Sequence, residues 1–145
     1  MADGLIIRGI FSRLTPAEKL YLMTHPHHVG IIQEVRDKAS IEASRLFPRE
    51  GQHNGEGDAF RHCFASALLA RDLGAQNART FTNAHEAYSA NPPRERAMDL
   101  HNNGVGIRIG TNREGTSDPA ISRLCMAAFD AGELMTVPPA SGQRY

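Results

Sequence analysis

Helix punctuation constrains this chain more than any other feature. Thr15-Pro16-Ala17-Glu18 is a capping box with proline at the first helical position, so a helix starts at Thr15 and ends near Thr24, before Pro26. A second runs from about His27 to Leu46, with Val29, Ile32, Val35, Ala39, Ala43 and Leu46 at spacings of three and four; Phe47-Pro48 stops it. A third spans about Asp58 to Leu73 and stops at Gly74. It carries two inward stripes, Phe60, Cys63, Phe64, Ala67 and Leu68 on one and Asp58, His62, Ser66, Leu69 and Leu73 on the other, so it belongs at the centre, buried on more than one side. A fourth covers about Ala75 to Ser89, a fifth about Pro93 to Ile109, and a sixth runs from Ser117-Asp118-Pro119 to about Ala131. Leu134 to Val137 reads as extended. No strand ladder, internal repeat or linker interrupts the series. The fold class is all-α: a compact single-domain bundle of about six helices.

The expected organisation is an N-terminal segment 1–14, a helical catalytic-like domain 15–137 and a flexible tail 138–145. The Gly-rich stretch 49–57 reads as a mobile polar loop able to gate access. At 145 residues the chain can bury a real core. Lys+Arg and Asp+Glu balance at 16 each, and no basic cluster stands out, which gives no strong nucleic-acid signal. Cys63 and Cys125 read as small core residues. The start of the chain lacks the pattern of a secretory signal, and no stretch approaches a membrane span, so the chain is expected to be made in the cytoplasm.

Three of these apolar helices also carry polar residues that a core tolerates only when paired or used, since an unpaired buried polar group costs about 1–3 kcal/mol. The segments are Gly57-Asp58-Ala59-Phe60-Arg61-His62, Ala84-His85-Glu86-Ala87-Tyr88 and Met98-Asp99-Leu100-His101-Asn102-Asn103. Asp58 and His62 are four apart and share a face. His85 points inward, with Glu86 about 100° round the helix. Asp99, Asn102 and Asn103 share a face, whereas His101 points elsewhere.

Two mechanisms fit this set. In one, Asp58, His62, His85 and Asp99 hold one divalent metal ion, zinc or similar, that activates water. In the other, His62 or His85 is a general base oriented by Asp58 or Asp99, while Arg61, Asn102 or Asn103 binds substrate and stabilises negative charge. Glu86 is an acid/base or a structural partner of Arg61. The His25-Pro26-His27-His28 cluster reads as a solvated helix entrance, and Gly104 and Gly106 as points of close helix packing.

In order and spacing the three segments resemble a helical domain family found at the C-terminal ends of bacterial polymorphic toxins and secretion-delivered effectors. The likeness covers roughly residues 15–135. It implies a toxin or effector role, export by a specialised secretion system, and an immunity protein and a secretion-machinery adaptor as partners. Its matching positions are Asp58, Arg61, His62, His85, Glu86, Asp99, Asn102 and Asn103. Together these readings favour an antibacterial hydrolase acting on an envelope component, peptidoglycan or lipid. The alternatives are a metal-dependent nuclease or phosphodiesterase, and a non-enzymatic helical interaction module with a structural polar network.

Overall fold

A computed structural model describes residues 14–48, 55–87 and 91–136. Six α-helices make up the described residues: α1 Pro16–Thr24, α2 Val29–Leu46, α3 Glu56–Leu73, α4 Ala75–His85, α5 Pro93–Gly110 and α6 Asp118–Asp130, with a single 3₁₀ turn at Pro26–His28. The all-α expectation holds. The loop 49–54, Tyr88 to Ala90, the first thirteen residues and the tail from 137 lie outside the described residues.

The helix starts follow from local chemistry. The Thr15 hydroxyl accepts from the Glu18 amide at 3.0 Å, and the Glu18 carboxylate accepts from the Thr15 amide at 2.9 Å. Ser117 caps α6 in the same way, accepting from the Ala120 amide. Gly74 ends α3 and opens α4 at φ 87°, a backbone conformation that favours glycine. Some boundaries differ from the sequence reading. α3 begins at Glu56, two residues early; α4 ends at His85, leaving Glu86 at its C-cap. Leu134 to Thr136 is irregular rather than a strand: the Met135 backbone is taken up by a side chain of α5, not by another strand.

α3 is the central helix and packs on α2, α4, α5 and α6. Both of its stripes are buried, from Gly57 through Ala70, with Phe60, Cys63, Phe64, Ala67 and Leu68 at the heart of the core. The α3–α5 seam is unusually close. A Cβ added at Gly106 would sit 2.1 Å from the Cys63 carbonyl oxygen, and one at Gly110 2.0 Å from that of Ala67. Gly106 therefore packs as expected. Gly104 does not, since its added Cβ would meet nothing, and Gly110 is the second contact instead. Cys63 and Cys125 are buried free thiols, and their mutual hydrogen bond, together with burial, pushes the Cys125 thiol up.

Candidate active site

The close α3–α5 seam sets two polar faces against each other. Asp58, Arg61, His62 and Ser66 come from α3; Asp99 and Asn103 come from α5. His62 Nε2 lies 3.5 Å from Asp58 Oδ1 and 3.4 Å from Asp99 Oδ1. Its Nδ1 lies 3.3 Å from Asn103 Oδ1, which also accepts from the Ser66 hydroxyl at 3.0 Å. With Asn103 accepting from Nδ1, the other nitrogen is turned to the two carboxylates. This is the arrangement that fixes tautomer and ring orientation in a metal-ligating histidine.

The electrostatics are lopsided. Burial would raise the Asp58 carboxyl, but hydrogen bonds and charge from His62 and Arg61 outweigh it and hold the group well below the ordinary range. Burial likewise works against a charged His62, yet the Asp58 hydrogen bond and the charges of Asp99 and Asp58 hold it above its ordinary value. Asp99 goes the other way. Burial, reinforced by the Glu86 and Asp58 carboxylates against the pull of His62, pushes it up to about 6. Glu86, 1% exposed, has its Oε2 bonded by Asn91 Nδ2 at 3.1 Å, while its Oε1 and Asp99 Oδ1 are buried without a hydrogen-bond partner. Asp99 thus has the Glu86 carboxylate as well as His62 for a neighbour, and two buried acid groups side by side favour a proton or a cation between them.

Asp58, His62 and Asp99 are also the one group among the described residues whose ligand atoms, all within 4.8 Å of one another, could hold a metal ion. His85 stands outside it. Its Nδ1 lies 3.1 Å from Glu18 Oε2, on α1, 67 residues away in sequence. The expected Arg61–Glu86 bridge is replaced by Arg61–Asp58, because the two are three apart on one helix. Asn102 is not free to bind substrate: its Nδ2 donates to the Met135 carbonyl and its Oδ1 accepts from the Met135 amide, both at 2.8 Å. It clamps the segment after α6 instead. Asn103, the next residue, does reach the site. His101 bonds the Glu133 carbonyl, away from the site. His28 is not solvated; it is buried with Nδ1 2.8 Å from the Tyr21 hydroxyl.

Beside the cluster lies a cavity of about 330 Å³. Arg36, Arg61, His62 and His85 give its lining basic groups, and Ile32, Val35, Leu69 and Phe81 an apolar wall; among the described residues no carboxylate lines it. Asp58 and Asp99 meet the lining at His62 Nε2, and Glu86 neighbours Asp99. Arg36 is fixed by Glu18 at 2.7 Å and sits 5.7 Å over the Phe81 ring. Sequence reasoning missed Glu18 and Arg36. Glu18 already had a complete local explanation as the third residue of a capping box, and nothing in the spacing signals a partner 67 residues on.

No helix among the described residues is long and apolar enough to cross a membrane. No solved structure matches the chain. A family model described as a domain of unknown function (DUF6973) matches residues 19–133, a span holding α2 to α6 and the residues of this site other than Glu18, and the chain belongs to that family.

Proposed function

We propose that this protein is a hydrolase of an envelope component, deployed as a bacterial toxin or effector, and that its substrate carries an anionic group beside an apolar body, as a phospholipid does. The observation that carries the reading is a pair of buried carboxylate oxygens without a hydrogen bond, on Asp99 and Glu86, near a cavity in the size range of small-molecule sites. A structural network would be expected to satisfy its acceptors, and this one leaves Asp99 Oδ1 and Glu86 Oε1 without a hydrogen bond. Clusters of perturbed ionisable groups at a cleft mark functional sites.

Asp58, His62 and Asp99 are the residues that would hold a divalent cation, zinc or similar, and Asp99 Oδ1, which makes no hydrogen bond, fits that role. Such an ion, when bound, lowers the pKa of its water and polarises an acyl or phosphoryl oxygen. Asn103 and Ser66 hold the imidazole in place. Arg36 and Arg61 present guanidinium groups to an anionic substrate group, and the Phe81 side of the cavity takes the apolar part. The lipid reading is preferred over peptidoglycan because of that apolar wall.

The test pairs wild type with Asp99→Asn, a substitution that keeps shape and removes one ligand charge. The expected result is one divalent ion per purified wild-type chain, lost in the variant. Growth inhibition on export to the periplasm, and hydrolysis of phosphatidylglycerol vesicles, should be lost with it while the variant still folds. A metal-free wild type with undiminished toxicity in Asp99→Asn would sink the reading. Degraded nucleic acid in poisoned cells would move it to the nuclease alternative.

A further inference from the structure

The two histidines on the cavity wall are not equivalent. His62 has both ring nitrogens engaged, one by Asn103 and the other by the pair of carboxylates. His85 has one. Its Nδ1 is held by Glu18, its side chain is 45% exposed, and no described residue bonds Nε2. An imidazole tethered through Nδ1 to a buried carboxylate, with Nε2 open to a cleft, has the geometry of a general base.

Glu18 is held rigidly enough to act as the tether. It is 1% exposed although charged. Its Oε1 accepts from the Thr15 amide at 2.9 Å; its Oε2 accepts from Arg36 at 2.7 Å and faces His85 at 3.1 Å. The Thr15 hydroxyl, which caps the helix, also donates to the Ala84 carbonyl at 2.7 Å, so the start of α1 is pinned to the residue before His85. The capping box therefore does more than begin a helix. It fixes a carboxylate of α1 against an imidazole of α4.

Resting on the hydrolase reading, we propose that His85 is the general base of the cavity and that Glu18 is its positioning residue. Glu18 holds Nδ1–H and leaves the Nε2 lone pair toward the cavity. Nε2 takes a proton from the attacking water as the water oxygen bonds to the acyl or phosphoryl centre. The same proton passes to the leaving oxygen as its bond to that centre breaks, so the imidazole ends neutral.

Two measurements test this on the full chain. The first needs no substrate: long-range nitrogen–proton correlation of ¹⁵N-labelled wild type at a pH where His85 is neutral. The expected result is the Nδ1–H tautomer at His85, with that proton moving upfield in Glu18→Gln, where an amide replaces the carboxylate acceptor. An Nε2–H or averaged tautomer in wild type would overturn the positioning role. The second is hydrolysis of phosphatidylglycerol vesicles. His85→Ala should lose about 100-fold in kcat or more, as for removal of a general base, and Glu18→Gln a smaller factor, with KM little changed. Wild-type rates in both variants would overturn the catalytic role. Should wild type itself hydrolyse none of the envelope probes, the hydrolase reading falls and the base role with it, while the tautomer still decides whether Glu18 orients His85.

Discussion

His62 and His85 sit on one cavity in opposite kinds of setting. His62 comes from the middle of the central helix, with two carboxylates and an amide around its ring. His85 comes from the last residue of α4, half exposed, with a single buried carboxylate behind it. The first is built like a ligand or a locked cation, the second like a group free to move a proton. Burial makes the difference. A deep imidazole must have both nitrogens satisfied, whereas one at a helix end can leave a nitrogen to the cleft.

Deleting each ring in turn separates the two settings most strongly. His62→Ala removes the cation between Asp58 and Asp99 and leaves the buried Asp99 without its cationic neighbour, which should cost about 3–5 kcal/mol in the metal-free protein. His85→Ala removes one bond from a Glu18 that keeps Arg36 and Thr15, and should cost about 1 kcal/mol. Urea unfolding of both variants reads the difference; equal losses would mean the two settings are energetically alike.

The next effect isolates the seam that serves His62 alone. Gly106→Ala drives a methyl into the Cys63 carbonyl, backbone that cannot rotate away. A loss of about 3 kcal/mol is expected for such overpacking. With α5 displaced, Asp99 and Asn103 should withdraw from His62, while the His85–Glu18 contact between α4 and α1 persists. Imidazole resonances that shift at His62 and stay fixed at His85 would show it.

A last effect is the pH dependence, whose sign differs between the two sites. In chelator, Asp99 titrates at about 6 when folded against an ordinary 3.8, so the native state binds more protons in that window and stability falls as pH rises from about 4 to about 6. Asp99→Asn should remove that slope. Glu18 is held below its ordinary 4.5: burial opposes this, but His85, Thr15 and Arg36 prevail. Its contribution is present above the ordinary value and is lost as pH falls through the folded one, so Glu18→Gln should flatten the acid limb. Melting temperatures across pH 3–8 would separate the two.

The helices and the central position of α3 were legible in the sequence because caps, prolines and apolar spacing act over a few residues. So were Asp58 and His62 on one face and the inward Asp99 and Asn103. Two things were not. Asn102 and Asn103 are neighbours of the same type, and only packing decided that one clamps Met135 while the other reaches His62. Gly104, Gly106 and Gly110 look alike in sequence, yet only the last two touch α3.

By itself, then, the sequence determined what local physics can determine: where helices start and stop, which face of each is apolar, and which polar residues must be buried. The tertiary structure alone decided which buried acid meets which base. Glu18 is a helix cap by its neighbours and the partner of His85 and Arg36 by its place in the fold. A hydrogen bond needs its two atoms within about 3 Å, and no spacing rule extends across 67 residues and two intervening helices.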